Sequence, residues 1–312
     1  MKKVLITGGA GYIGSVLTEL LLAQGYKVSV LDNLCLRQLS LLHVSHNENF
    51  NLIKGDATDD KLVRDLLSHY DIVIPLAALV GAPACENNKE LATRLNFEQV
   101  KNIVDKLSED QLLLMPNTNS QYGSSTETIT EDSPFNPLSH YAKTKCDAED
   151  YVLQKGNGIC FRLATVFGVS PRMRTDLLVN DFVYKADIDG YLVLFQAHFK
   201  RNYIHVKDVA STFLFGIENY TSMNHDVFNV GLSSANLSKL ELANIIKKYI
   251  KNLVIVENDF DSDFDNRNYI VSNKKLESHG WKAVHSLDSG IEELLKAYKM
   301  IANYNNLGFT NL

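Results

Sequence analysis

The chain begins with a short apolar run, Val4-Leu5-Ile6, followed by glycines at a spacing of three: Gly8, Gly11 and Gly14. Behind them Ile13, Val16, Leu17, Leu20 and Leu21 recur at a helical period. The pattern predicts a strand, a glycine turn and a helix. Tyr26 to Leu31 predicts a second strand, ending at Asp32. Further strands are predicted at Phe50 to Ile53, Asp71 to Leu76, Gln111 to Met115 and Ile159 to Leu163. Leu34 to Leu42 predicts a loop and a short helix. Helices are predicted over Asp59 to Leu67, over Leu91 to Leu107 and from near Ser139. Strands alternating with helices predict an α/β fold with a parallel sheet and right-handed crossovers.

The second half alternates less regularly. Helices are predicted over Asp176 to Asp187, Ser238 to Tyr249 and Leu287 to Tyr304, and strands at Asp226 to Val230 and Leu253 to Val256. Tyr203 to Val209 leads from an extended piece into a helix. No composition shift marks a linker, so a smaller lobe is expected to pack on the first, with the chain crossing between them.

In a parallel sheet, ligands sit at the carboxyl ends of the strands. The glycine turn lets the backbone approach a ligand, and the helix behind it presents unpaired N–H groups to a pyrophosphate. Asp32 follows Gly14 by eighteen residues. A carboxylate there binds the two hydroxyls of an adenosine ribose and repels a 2′-phosphate, which favours NAD over NADP. Tyr141 and Lys145 stand at i and i+4 on a predicted helix and so share one face. An ammonium beside a phenol lowers its pKa, which suits the phenol to accept an alcohol proton. By itself such a pair is an ordinary feature of an amphipathic helix. Behind a dinucleotide turn, and with Thr118 at the end of the fifth strand, it reads as a catalytic group.

Composition narrows the setting. The 312 residues carry a net charge of −6, which argues against a nucleic-acid surface. No apolar run approaches the ~20 residues of a membrane helix, and the run after Lys2 and Lys3 is broken too early for a signal peptide. Cys35, Cys85, Cys146 and Cys160 lack paired spacing, and the nine histidines do not cluster. A reducing cytoplasm and no metal site are expected.

Taken together, several strings resemble the extended short-chain dehydrogenases/reductases of the nucleotide-sugar epimerase/dehydratase class. They are Thr7 to Gly14, Asp32-Asn33, Gly55-Asp56, Leu76-Ala77-Ala78, Asn96, Tyr122-Gly123, Tyr141 to Lys145, Arg162 to Gly168, Arg201 to Asp208 and, more weakly, Gly280-Trp281. The resemblance implies a Rossmann-type doubly wound sheet over residues 1–170, with part of 200–230 returning to it. It implies a nucleotide-sugar-binding lobe over 171–312. It places Gly8, Gly11, Tyr12, Ile13, Gly14, Asp32, Asn33, Asp56, Ala57, Leu76, Ala77, Ala78 and Asn96 around NAD, together with Tyr141 and Lys145. Thr118, Tyr141 and Lys145 are the implied catalytic triad. Val80, Asn119, Ser120 and Thr165 fall on the substrate side. Arg174, Arg201 and Arg267 are candidates for the nucleotide diphosphate, since guanidinium matches phosphate geometry, and Asn180 for the nucleotide. Arg174 and Arg267 read equally as solvated surface groups, Arg201 less so. His205 and Asp208 are expected to fix a loop, and Trp281 to pack the small lobe. The resemblance also implies a homodimer through the helices around Asn96 to Leu107 and His140 to Leu153.

The departures sharpen the expectation. Sugar 4,6-dehydratases carry an Asp-Glu pair directly after the active threonine; here Asn119 and Ser120 stand there, and neither titrates near neutral pH. Dehydration is therefore not expected. The longer strings Ala77 to Pro83, Pro116 to Gly123 and Phe161 to Arg174 resemble a subgroup acting on GDP-heptoses in capsule biosynthesis as C4 dehydrogenases. The expected reaction is NAD-dependent oxidation at C4 of a nucleotide sugar, GDP-linked by preference. The rivals are 4-epimerisation through a transient 4-keto sugar and an NAD-binding regulatory module without turnover.

Overall fold

The computed structural model describes residues 1–36, 39–155, 158–258 and 267–301. Seven strands form the central sheet: β1 (Lys3–Thr7), β2 (Lys27–Asp32), β3 (Phe50–Lys54), β4 (Ile72–Pro75), β5 (Leu112–Thr118), β6 (Ile159–Leu163) and β7 (Asp226–Val230). Their order is β3-β2-β1-β4-β5-β6-β7, and every neighbouring pair is parallel. The order reverses between β1 and β4, where a doubly wound sheet opens a crevice.

The sheet is covered on both faces, which is why its central strands read as continuous apolar runs. One face packs Val4, Ile6, Val28 and Ile72 against Leu17 and Leu21 of the Tyr12–Ala23 helix and Val209 and Phe213 of the Val206–Glu218 helix. The other face packs Leu5, Val73 and Leu113 against Val63, Ile103 and Val152. Those three come from the helices Asp60–Leu67, Gln99–Val104 and His140–Lys155. Capping follows the sequence. Asp59 accepts from the N–H groups of Lys61 and Leu62, and Ser238 forms a capping box with Glu241 ahead of the Lys239–Tyr249 helix.

A second core joins Val179 and Val183, Leu242 and Ile246, and Ile291, Leu294 and Tyr298. These belong to the helices Leu178–Ile188, Lys239–Tyr249 and Leu287–Ile301. A three-stranded sheet of Asn236–Ser238, Lys200–His205 and Thr165–Phe167 lies between the cores, and Tyr191–Phe195 pairs in parallel with Val254–Asn258. The chain crosses repeatedly. After the Leu178–Ile188 helix it returns to the first core through the Val206–Glu218 helix and β7, leaves again, and comes back with Leu276 and Trp281 before the last helix.

Several expectations shift. The helix expected over Leu91 to Leu107 is three pieces: Lys89–Thr93, a π-turn over Arg94–Glu98, and Gln99–Val104. The wide turn carries Asn96, whose side chain bonds the main chain of Leu79 rather than solvent. Trp281 packs into the core of the main sheet, not the small lobe, and its indole N–H donates to Ser211. Part of the loop expected after Leu34, and residues 302–304 of the last helix, lie outside the described residues. No helix among those described is long and apolar enough to cross a membrane.

Candidate active site

The glycine turn follows β1. Gly8 has a positive φ of 70°, and a Cβ there would stand 2.6 Å from the Ala77 backbone at the end of β4. That close approach of two strand ends admits only glycine. Gly11 differs. A Cβ on it would meet only the Gly8 carbonyl, at 3.1 Å, so the space above the turn is open. The Tyr12–Ala23 helix starts here with no side-chain cap and no acidic residue in its first turn. Its leading N–H groups face that space, an arrangement that fits a diphosphate. Asp32 accepts from the N–H of Ala10 at 3.0 Å and of Leu34 at 2.8 Å. Each carboxylate oxygen keeps a second lone pair for a ribose hydroxyl.

A cavity of about 380 Å³ runs along the carboxyl ends of the strands. Gly8, Gly11, Tyr12, Ile13 and Gly14 line it after β1, Asp32 and Asn33 after β2, and Asp56 and Ala57 after β3. Leu76, Ala77, Ala78 and Val80 follow β4, Thr118 and Ser120 end β5, and Thr165 follows β6. Tyr141, Arg174 and Arg267 complete the set foreseen from sequence. Arg172 and Tyr269 also line it and escaped the sequence reading, although Arg172 sits within the string Phe161 to Arg174.

Tyr141 and Lys145 occupy the first turns of the His140–Lys155 helix. Tyr141 and Thr118 line the same cavity, and the Thr118 hydroxyl acts to lower the Tyr141 phenol. Thr118 also caps the next turn by accepting from the Ser120 N–H at 3.1 Å. Lys145 is 4% exposed, and its ammonium donates to the Pro116 carbonyl at 3.2 Å. Burial pushes the Lys145 ammonium down to about 8 and the Tyr141 phenol up to about 12. The lowered phenol expected from the i, i+4 spacing is thus reversed in the protein alone, because desolvation outweighs nearby cations.

Lys145 carries a stability consequence. Its folded pKa lies below the ordinary 10.5, so between pH 8 and 10 the unfolded chain binds a proton that the folded chain lacks. That contribution makes stability rise with pH across the window; from about pH 9 the buried Cys85, Cys146 and Cys160 thiols, raised by burial, act against it, and above pH 10 the buried tyrosines do the same. We expect Lys145→Met to stabilise the ligand-free protein at pH 7 by about 1–3 kcal/mol and to flatten the rise. Urea unfolding at pH 7 and 9.5 checks both; a destabilised variant at pH 7 contradicts the assignment.

Five of the foreseen residues lie behind the cavity wall, Lys145 among them. Asn96 bonds both main-chain groups of Leu79 at 2.9 Å and donates to Thr144 at 3.2 Å, tying the loop after β4 to the His140–Lys155 helix. Asn180 does not face the nucleotide. Its amide accepts from the Gly168 N–H at 3.0 Å and donates to the Arg174 carbonyl at 2.7 Å, beside Tyr12, whose hydroxyl donates to the Gly168 carbonyl. Arg201, 2% exposed, lies over the Tyr269 ring and donates to the Lys200 carbonyl. Asn119 is 1% exposed and makes no hydrogen bond through its amide. Arg174 lines the cavity but is ion-paired with Asp176. His205 caps the Val206–Glu218 helix and pairs with Glu293 at 2.8 Å, and Asp208 accepts from two backbone N–H groups and the His285 ring.

A glycine cradle, a carboxylate at the end of β2 and a Thr-Tyr pair in one crevice fit a dinucleotide-dependent enzyme acting on an alcohol. Comparison with known proteins agrees. The mouse dTDP-D-glucose 4,6-dehydratase is 25% identical over 327 residues, 98% of this chain and 90% of that protein. The Bacillus cereus UDP-glucuronic acid 4-epimerase, solved with UDP-glucuronic acid and NAD, superposes at a TM-score of 0.85 with 22% identity, covering 96% of this chain and 99% of that one. The Thermotoga maritima UDP-glucose 4-epimerase, solved with UDP-glucose, superposes at 0.84 with 22% identity and the same coverage. The model of the NAD dependent epimerase/dehydratase family matches residues 4–231, from β1 to the end of β7, and the chain belongs to that family.

Proposed function

We propose that the protein oxidises C4 of a nucleotide-linked sugar to a ketone with NAD, and that the sugar is a GDP-heptose destined for a surface polysaccharide. One observation carries the oxidation. Thr118 and Tyr141 face the same cavity as the glycine cradle, and among the described residues its only lining carboxylates are Asp32 and Asp56. Those lie at the ends of β2 and β3. β2 is three strands from β5, about 14 Å, so among the described residues lining the cavity no acid stands beside Thr118 to expel water from the sugar. The GDP-heptose rests on the likeness of the strings Ala77 to Pro83, Pro116 to Gly123 and Phe161 to Arg174 to that subgroup.

In this reading residues 1–170, with part of 200–230, hold NAD, and 171–312 hold the nucleotide sugar. NAD supplies the hydride acceptor. Tyr141, as phenolate, takes the proton of the C4 hydroxyl; Thr118 shares that hydrogen bond and aims the hydroxyl. Lys145 anchors the cofactor ribose and stabilises the phenolate. Arg174 and Arg172 face the diphosphate. Incubation with GDP-heptose and NAD, followed by mass spectrometry, tests the reading. Loss of two hydrogens is oxidation. Unchanged mass with altered retention is 4-epimerisation, and no change is a binding module.

Cofactor choice follows from Asp32. NAD is expected to bind at least about tenfold tighter than NADP, a gap of about 1.4 kcal/mol, and Asp32→Ala to narrow it. Equal affinities by calorimetry would remove the basis for the assignment.

We also propose a cytoplasmic homodimer through the helices around Asn96 to Leu107 and His140 to Leu153. Phe97, Leu107, Tyr151 and Leu153 there are only partly buried, which supports a self-complementary face. Lys101 and Lys155 flank the Tyr151 ring, so the face is less uniformly apolar than the sequence suggested. Sedimentation at micromolar concentration should give twice 35.0 kDa; a monomer contradicts the proposal.

A further inference from the structure

The charges around Tyr141 are not those its helix alone supplies. Lys145, one turn on, gives its ammonium to the Pro116 carbonyl. A second cation acts on the phenol from another part of the chain. Arg267 Nη1 donates to Ser120 Oγ. Ser120 Oγ and Thr118 Oγ1 are 2.9 Å apart, and Thr118 and Tyr141 line the same cavity side by side. Arg267, Ser120 and Thr118 therefore form one chain of hydrogen bonds that ends beside Tyr141. Its direction is constrained at one end, since a guanidinium can only donate.

With Tyr141 protonated, Thr118 Oγ1–H donates to Ser120, as in this structure. With Tyr141 ionised, both hydroxyls can rotate. Ser120 then donates to Thr118, Thr118 donates to the phenolate, and Arg267 still donates to Ser120. Every donor points toward the negative oxygen, and such a chain polarises cooperatively. No proton changes owner in the rotation.

We propose that Arg267 is a positioning residue for the Tyr141 base, acting through Ser120 and Thr118 to favour the phenolate rather than by holding the sugar's diphosphate. The proposal rests on Tyr141 being the base. Among the described residues, the groups that act on Tyr141 are Thr118 at the end of β5, Cys85 on the Ala82–Asn87 helix, Arg174 and Arg267, and Lys145 lies one turn on along its own helix. Burial and then Cys85 act upward on the phenol; Arg267, Thr118 and Arg174 act downward, with Arg267 first among them.

The titration needs no sugar. Protein carrying ¹³C at tyrosine Cζ is saturated with NAD and titrated by NMR, and Tyr141→Phe identifies the Tyr141 signal. Arg267→Met and Ser120→Ala are each expected to raise the proton affinity of Tyr141 by about tenfold. Arg267→Lys keeps a cationic donor and is expected to retain most of the wild-type value. It also covers the event that the methionine variant misfolds, which the other tyrosine signals would reveal. A Tyr141 midpoint unmoved in Arg267→Met overturns the proposal, as does a wild-type Tyr141 that stays protonated to the end of the titration. Weaker GDP binding with an unmoved midpoint also overturns it, returning Arg267 to the diphosphate. Single-turnover NADH formation separates the two levels. A Tyr141→Phe protein of near wild-type rate defeats the base assignment itself, whereas an inactive Tyr141→Phe with an unmoved midpoint defeats only the role of Arg267.

Discussion

Tyr141→Phe is expected to fold and bind NAD normally while forming NADH about 10²–10⁴ times more slowly, the usual cost of losing a general base. The ring remains and only the hydroxyl that meets Thr118 is lost. Lys145→Ala should reduce both turnover and NAD affinity, because the side chain is assigned to the ribose and to the phenolate. Thr118→Ala should cost less in rate than Tyr141→Phe but more than a shared hydrogen bond alone, since Thr118 Oγ1 also caps the Asn119–Tyr122 turn. Thr118→Ser keeps both bonds and should be nearly silent. The order is measured by single-turnover absorbance at the NADH band. A Thr118→Ser variant as slow as Tyr141→Phe would show that the threonine does something other than share a proton.

The second large effect lies beneath the site. Glu149, two turns after Tyr141, is fully buried and takes two hydrogen bonds from Arg162 of β6, at 2.6 and 3.0 Å on one oxygen. Its other oxygen accepts from Asn117 of β5 at 2.6 Å. Arg162 is 4% exposed, and its guanidinium lies between the Tyr122 and Phe135 rings. The group fixes the His140–Lys155 helix against the strand that carries Thr118. Glu149→Ala leaves a buried guanidinium without its counter-ion and should lower stability by about 3–5 kcal/mol. Glu149→Leu combined with Arg162→Met removes both charges and should recover much of that loss. Denaturant midpoints decide it. A double variant as unstable as Glu149→Ala would mean that packing, not charge, dominates at this position.

The parts legible in the sequence are those whose signal is local. β6 and β7 keep the bounds expected from their apolar runs, and β5 runs on to Thr118 because the polar residues at its end stay in the sheet, paired with β6. The glycine turn and Asp32 are likewise set by neighbours in sequence. What escaped depends on partners far along the chain. Asn96 bends its helix into a π-turn to reach Leu79. Asn180 answers Gly168 and Arg174, and its backbone carbonyl accepts from Tyr298 at 2.8 Å. No periodicity announces which way a buried amide will face. Arg201 reads like any arginine at the end of a strand until Tyr269 closes over it. The strands of the lobe are short and pair with segments distant in sequence, as Tyr191–Phe195 does with Val254–Asn258. The apolar run alone therefore underdetermines them.

The repeated crossing of the chain between its two cores has a consequence for how such proteins diversify. A cut after residue 170 would strip β7 from its place beside β6 and the Val206–Glu218 helix from Leu17 and Leu21. That would bare apolar surface on the sheet that holds the glycine cradle. The lobe cannot be handed from one protein to another as a cassette, because its chain is also the edge and lid of the sheet. A new sugar must be accommodated in place, one side chain at a time, on a scaffold whose halves are inherited together.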